Sequence, residues 1–389
     1  MVQLQVDLNN IPGAVVRVQQ GDSVLHFNAY GYAKKLDYDM ERMEVPQTMT
    51  TGELFDIASL TKVCATTFGV MLLVDEGVVG LEDPIHRWLP EFDTGEKSRI
   101  TIRHLLTHSA GLYQWVPTYY HASTASEQYQ YIAGLPLKYL VGEGRHYSDL
   151  GFMLLGEIIH RVSGKPLDEY LHKHLYKPLG LKQTTFNPLR NGFIKDQIAA
   201  TSHGNPFEKQ MIYDDNFGYT VNEEPDSWDD WRRYTLQGEV NDGNAWYGAK
   251  GVAGHAGLFS SASDLQMLIN LLLDKGQFEG EQLISEAVID TFLTKDRFGN
   301  GLGWVMDPAV FSAEGVPEGS FGHTGFTGTS IVVVPEYDLS IILLTNRQNV
   351  GRRENGYYFD LGPLRQAVVD EVLGRFLEHG TVNRPSIGS

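Results

Sequence analysis

Apolar residues recur at every second position near both ends of the chain and at every third or fourth position between them. "GAVVRVQQ" from Gly13 and "SVLHFNAYGYA" from Ser23 flank Gly21-Asp22 with β-branched residues, which predicts a hairpin. "TSIVVVPEY" and "LSIILLTNR", joined across Pro335 to Asp338, predict a second one. The helical period begins behind Ser59 with Leu60, Val63, Cys64, Phe68, Met71 and Val74. It returns in "IRHLLTHSAG", in "GFMLLGEIIHRVSG" from near Phe152, in "PLDEYLHKHLYKPLG" and in "SASDLQMLINLLLDKG", each bounded by Gly or Pro. "GPLRQAVVDEVLGRFLEH" closes the chain as an amphipathic helix.

Strands at both ends with helices between them predict an α+β fold. One antiparallel sheet is built from both termini and flanked by helices, and a helical domain is inserted into it. The expected division places residues 1–58 and 300–389 in the sheet domain and 59–299 in the mainly helical one, with the active site at their interface. Residues 203–247 fit neither period. They are rich in Asp, Glu, Trp, Tyr and Asn, the composition of a functional lid or a surface excursion.

A length of 389 residues implies roughly two or three lobes. With 42% hydrophobic and 21% charged residues the chain has the composition of a packed globular protein. The formal net charge of −18, with no basic run, would repel a phosphate backbone, so nucleic acid is not an expected partner. No window approaches the ~18 uninterrupted apolar residues of a membrane span. The opening "MVQLQVDLNNIPGAVV" lacks a basic segment followed by an apolar one. A cytoplasmic location is therefore expected if this start is natural, and an extracytoplasmic one if an export signal has been trimmed. The single cysteine, Cys64, excludes internal disulfides and is expected to fill core.

Candidate chemistry starts at "FDIASLTKVCATT". Ser59 could cap the helix that follows it, or attack a substrate. Lys62 lies three residues on, on the same helical face, where the two side chains can meet. Burial would lower that lysine's pKa toward neutrality, letting a neutral amine take the serine proton while the helix N-terminus faces a forming oxyanion. Rival sites are weaker. Ser109 in "THSAG" lacks the first glycine of a nucleophile elbow and follows a helix where that motif needs a strand. His104 and His108 are spaced four apart but come with no further metal ligands, and His255 in "GVAGHAGLF" is expected to pack in the core.

Two further stretches, "YSDLGF" at Tyr147 and "GHTGFTG" around His323, complete an ordered set: Ser-x-x-Lys, then Tyr-x-(Asn/Asp), then (Lys/His)-Thr-Gly. On these motifs the chain resembles the penicillin-recognising serine hydrolases over nearly its whole length. This superfamily includes class C β-lactamases, low-molecular-mass penicillin-binding proteins with D,D-carboxypeptidase activity, and family VIII carboxylesterases. "TIRHLLTHSAGL", "YKPLGLKQTTF", "KGVAGHAGLFSSASDL" and "HTGFTGTSIVVVPE" look like its framework stretches.

The resemblance implies a β-lactamase/transpeptidase-like fold that needs neither metal nor cofactor. Ser59 becomes the acylated nucleophile, Lys62 its proton partner and Tyr147 a second general acid/base, both with pKa values lowered by their mutual field. The backbone amides of Ser59 and Phe326 become the oxyanion hole. Asp149, His323, Thr324 and Gly325 become substrate-binding residues. The implied partner is a small molecule or peptide: a D-Ala-D-Ala-type peptide, a β-lactam or an ester. A D-alanyl-D-alanine carboxypeptidase-like activity is expected. The alternatives are a carboxylesterase on short-chain esters and a catalytically weak receptor that binds penicillin or peptidoglycan. Two departures from the family pattern bear on the substrate. His323 stands where a lysine is common and is expected to be partly charged near neutrality. Asp149 stands where asparagine is common, and its carboxylate would favour a charged Lys62 and oppose anionic substrates.

Overall fold

The computed structural model describes residues 1–219, 223–307 and 316–378. Six strands form one antiparallel sheet in the spatial order Arg42–Thr48, Ser23–Leu36, Gly13–Gln20, Leu339–Thr345, Thr329–Val334 and Phe321–Thr324. The two ends of the chain meet at its centre, where Val16 lies opposite Leu343. Both predicted hairpins form, across Gly21-Asp22 and across Pro335 to Asp338. The side-chain period of two then feeds two separate cores. Val332, Val334, Leu339, Ile341 and Leu343 pack with Val2 and Val6 of the N-terminal helix and with Leu364, Val368 and Leu373 of the C-terminal helix. Ile331, Val333, Ile342 and Leu344 face the opposite way, into the large core shared with the inserted helices. Burial on both faces explains why these strands read as continuous apolar runs.

The α+β fold is the expected one, with local differences. The run behind Ser59 begins as a π-helical turn, Lys62–Thr66, and continues as the α-helix Thr67–Asp75. The helix at "YSDLGF" spans Asp149–Ser163 and starts three residues before the apolar period, because Ser148 caps it by accepting from the Gly151 amide. Arg42–Thr48 escaped detection: it contains Pro46 and lies at the edge of the sheet, where a missing amide is tolerated. A small second sheet of Phe55–Asp56, Leu258–Ser260 and Thr185–Phe186 was also missed, since strands of two or three residues have no period to detect. The closing helix is described as Gly362–Glu378, and His379 lies outside the described residues.

The segment 203–247, of which residues 220–222 lie outside the description, is bound to the body of the protein by buried polar groups. Asp56 accepts from the amides of Ala58 (2.9 Å) and Asn241 (2.6 Å). Glu208, on the helix Pro206–Tyr213, accepts from the Gly243 amide at 2.7 Å, and Asp242 accepts from the Ala245 amide at 2.8 Å. The buried Arg232 donates to the Asn205 side chain and to the carbonyls of Val240 and Asn241. Burial and then the Asp242 charge push Glu208 up to about 8. Burial would raise Asp242 too, but the His255 ring outweighs it and holds that carboxyl below the usual range.

Glu208 therefore makes stability depend on pH. Its contribution is fully present below the ordinary value of 4.5 and is lost as pH rises toward about 8, because the folded chain must keep a proton that the unfolded chain releases. Glu208→Gln should remove this loss. Urea unfolding at pH 5 and pH 8 should show the parent falling relative to the variant by up to ~1.4 kcal/mol per pH unit. Parallel stability curves would show that Glu208 is not the group responsible.

Candidate active site

Ser59 stands on a tight corner between the strand Phe55–Asp56 and the helical run that opens at Lys62. Ala58, immediately before it, has φ +47°, a left-handed conformation costly for a residue with a Cβ, and the Asp56 carboxylate holds it there through the Ala58 amide. The Ser59 hydroxyl accepts a 3.0 Å hydrogen bond from Lys62 Nζ, so that contact and not an N-cap accounts for its position. Lys62 is fully buried. It also donates to the His255 carbonyl at 3.1 Å and lies 2.7 Å from Asp149 Oδ1, a close ion pair off the line of a hydrogen bond. Its ammonium sits 4.9 Å from the centre of the Tyr147 ring. Lys62 opens the π-helical turn, a form that often marks functional positions.

The protons are not where helix position alone suggested. Burial would lower Lys62, but Asp149 and then Tyr147 outweigh it and hold the ammonium above its ordinary value. The departure at Asp149 thus has the expected effect on Lys62, and the expectation of a neutral amine is overturned. Tyr147 also rises instead of falling, because burial and the Asp149 charge exceed the lowering by Lys62. Its hydroxyl reaches the side chains of both Lys62 and Ser59. At rest the cluster holds a protonated lysine and a neutral phenol.

His323 is a second correction. Burial, followed by the field of Lys62, pushes its imidazole down to about 3, so it is uncharged at neutral pH. Its Nδ1 donates to the Thr324 carbonyl at 2.8 Å, which leaves Nε2 as the unprotonated, accepting nitrogen. Such a ring cannot hold a carboxylate. Arg145, half-buried two residues before Tyr147, is a further cation, beside Lys62, whose field falls on His323, His108 and Tyr147. Asp296 and Asp307 lie close enough for their charges to act on it.

The turn after the His323-Thr324-Gly325 strand faces the Ser59 corner. Thr327 Oγ1 donates to the Asp56 carbonyl at 2.6 Å and Thr329 Oγ1 to the Ile57 carbonyl at 3.0 Å. A Cβ on Gly325 would collide with Thr329 Oγ1 and the Ile57 carbonyl, so close approach of the two segments requires glycine there. Two half-buried arginines grip the same turn from behind: Arg347 donates to the Phe326 carbonyl at 2.8 Å and Arg365 to the Thr329 carbonyl at 2.9 Å. Among the described residues, the amides of Ser59 and Phe326 have no acceptor. The structure thus brings Ser59, Lys62, Tyr147, Asp149, His323, Thr324, Gly325 and Phe326 together.

The rival residues are occupied elsewhere. Ser109 Oγ bonds Thr107 Oγ1 at 2.8 Å, and His104 closes the capping box of its helix with Thr101. His108 Nδ1 accepts from the Ser148 amide and its ring lies 4.6 Å from Tyr147, so it supports the site from behind. Cys64 is buried, which raises its thiol. Among the described residues no group of His, Cys, Asp and Glu could hold a metal ion. His255 does more than fill the core, since its Nε2 donates to Asp242 at 2.8 Å while its carbonyl accepts from Lys62. Sequence reasoning also passed over Arg145, Arg347, Arg365, Glu208 and Asp242. Of these only Arg145, a lone cation beside a motif in an acidic chain, left a signal there.

Comparison with known proteins agrees with this geometry. The Beta-lactamase family profile matches residues 2–361. An N-acetylmuramyl-L-alanine amidase of Bacillus subtilis (strain 168) is 35% identical over 87% of this chain and 78% of its own length. An Escherichia coli (strain K12) protein provisionally named a D-alanyl-D-alanine carboxypeptidase is 34% identical over 95% of this chain and 88% of its own. Among solved structures, EstCE1, a hydrolase with promiscuous acyltransferase activity, superposes with a TM-score of 0.68 at 21% identity, covering 95% of this chain and 96% of its own. With a family match spanning nearly the whole chain and relatives above 30% identity, the protein belongs to the Beta-lactamase family of serine hydrolases.

Proposed function

We propose that this chain cleaves an amide through an acyl-enzyme on Ser59, releasing an alanine, and that D-alanyl-D-alanine-type peptides are its substrate class. The observation that carries this reading is the cluster in which half-buried Ser59, Tyr147 and Asp149 surround the fully buried Lys62, beside two amides with no acceptor. Ser59 Oγ attacks the carbonyl, and the two amides stabilise the oxyanion, each worth ~3 kcal/mol in such sites. Lys62 and Tyr147 are both protonated at rest, so the reactive form is the one that has lost the Tyr147 proton to solvent; the phenolate, stabilised by the Lys62 ammonium, takes the serine proton as Oγ attacks and passes that same proton to the leaving nitrogen as the C–N bond breaks. Water then attacks the ester by the reverse path. The relatives' names support the choice of amide, since both a D-alanyl-D-alanine bond and an N-acetylmuramyl-L-alanine bond have an alanine nitrogen as leaving group. A second reading, hydrolysis of a neutral short-chain ester, is favoured by the uncharged His323.

Intact-mass spectrometry after a fluorophosphonate, a penicillin and a peptide ending in D-Ala-D-Ala tests the reading. Acylation of the parent and release of D-Ala are expected, and Ser59→Ala should abolish both while losing at most the ~3 kcal/mol of one hydrogen bond to a charged group. Hydrolysis of p-nitrophenyl acetate retained by that variant would rule out Ser59.

Asp149→Asn should move the rising limb of kcat/KM to lower pH by at least about one unit, since the carboxylate raises both Lys62 and Tyr147. An unmoved limb would show that neither residue supplies the essential base.

Arg145→Ala should raise KM about tenfold for the peptide, whose leaving alanine carries a carboxylate, a loss of ~1.4 kcal/mol. It should leave p-nitrophenyl acetate unaffected. Equal effects on both would assign Arg145 to the framework.

A further inference from the structure

A wall of aromatic rings runs from the Phe326 turn to the loop beside Asp149. The Phe326 ring packs 4.8 Å from Phe207, Phe207 lies 4.8 Å from Phe217, and Phe217 lies 4.6 Å from Tyr357. Tyr219 continues the row, 6.4 Å from Phe217 and 6.0 Å from Trp115. The far end reaches the catalytic cluster through the residue next to Trp115, since the Gln114 carbonyl accepts from the Asp149 amide at 2.9 Å. Tyr219 itself lies close enough for the charges of Asp149 and Tyr357 to act on its hydroxyl. The wall therefore runs from the turn after His323-Thr324-Gly325 to the segment that bonds Asp149, the partner of Lys62.

The wall is partly core and partly surface. Phe207, Phe217 and Trp115 are buried, whereas Phe326 is 36% and Tyr357 46% exposed. Large apolar rings left open over a rigid buried backing, beside a catalytic group, are the usual make-up of a ligand-facing surface. The proposed place of a leaving group that carries a carboxylate is beside Arg145, whose field reaches Tyr147 and His323. What the aromatic wall offers the acyl part is flat apolar contact, and the guanidinium beside it, Arg347 at 5.6 Å from the Phe326 ring, is already engaged by the Phe326 and Phe359 carbonyls. A small methyl side chain would leave most of that surface wet, while a ring laid on it would cover it.

We propose that Phe326, Tyr219 and Tyr357 form an acyl-side subsite that selects an uncharged acyl group presenting a ring with an apolar face. This rests on the acyl-enzyme reading and narrows its substrate class. Two sources share that chemistry: an aromatic acyl group, and a pyranose whose axial C–H groups make one face apolar.

Paired substrates separate them. The ratio of kcat/KM for p-nitrophenyl phenylacetate over p-nitrophenyl acetate reports an aromatic ring. The ratio for N-acetylmuramyl-L-alanine over N-acetyl-L-alanine reports a pyranose. The parent should prefer the ring-bearing member of at least one pair by tenfold or more. Tyr357→Ala and Tyr219→Ala should each cut that preference several-fold, and Tyr357→Phe, which keeps the ring, should retain it. Loss of preference in the ester pair alone identifies an aromatic acyl group, and loss in the muramyl pair alone identifies a sugar. Ratios near one in the parent, or ratios untouched by both alanine variants, would overturn the subsite. Failure of every substrate and of the fluorophosphonate to acylate Ser59 would instead strike the acyl-enzyme reading beneath it.

Discussion

A fully buried ammonium needs a counter-charge, and the Lys62–Asp149 pair is the constraint around which the site is arranged. Removing an unpaired charge from water costs far more than a domain can spare, so the 2.7 Å contact with Asp149 is a condition for lysine at that position. Asp149 is in turn the first residue of the helix Asp149–Ser163, where the unsatisfied amides favour a carboxylate. The pair is then enclosed by the His255 carbonyl, the Tyr147 ring and the Ser59 hydroxyl. Each of these partners comes from a different stretch of chain. Folding has to bring all of them in before the lysine can be buried.

The two ends of the chain are joined for the same purpose. Pairing Gly13–Gln20 with Leu339–Thr345 closes the sheet and carries the Phe321–Thr324 strand to its edge. From there the turn at Gly325 is drawn against the Ser59 corner by hydroxyls of Thr327 and Thr329, while Arg347 and Arg365 hold its carbonyls from the other side. Amides whose carbonyl neighbours are pinned in this way cannot turn aside when negative charge develops. That is the physical content of preorganisation.

Behind the site, Asp56, Glu208 and Asp242 accept amides from segments that would otherwise be loose loops. His255 links this acidic layer to Lys62 through its ring on one side and its carbonyl on the other. The segment 203–247 is thus coupled to Lys62, and the aromatic rings it carries are fixed relative to Ser59.

The sequence by itself determined the elements whose pattern is local. Period-two runs gave both hairpins, and the apolar period behind Ser59 gave the helix that carries Lys62. The order of Ser59-x-x-Lys62, Tyr147-x-Asp149 and His323-Thr324-Gly325 indicated which residues would meet. Strands of two residues, the Pro46 edge strand and the π-helical turn leave too little periodicity to be seen. The protonation states were not legible either. A lysine's pKa is the small balance between burial and the charges near it, and nothing in "SLTK" says how far Asp149 will lie from Nζ. The same holds for His323, whose charge is removed by enclosure and by the field of Lys62. Local order fixes which groups are present. Which of them carry a proton is decided only when tertiary packing sets the distances and excludes the water.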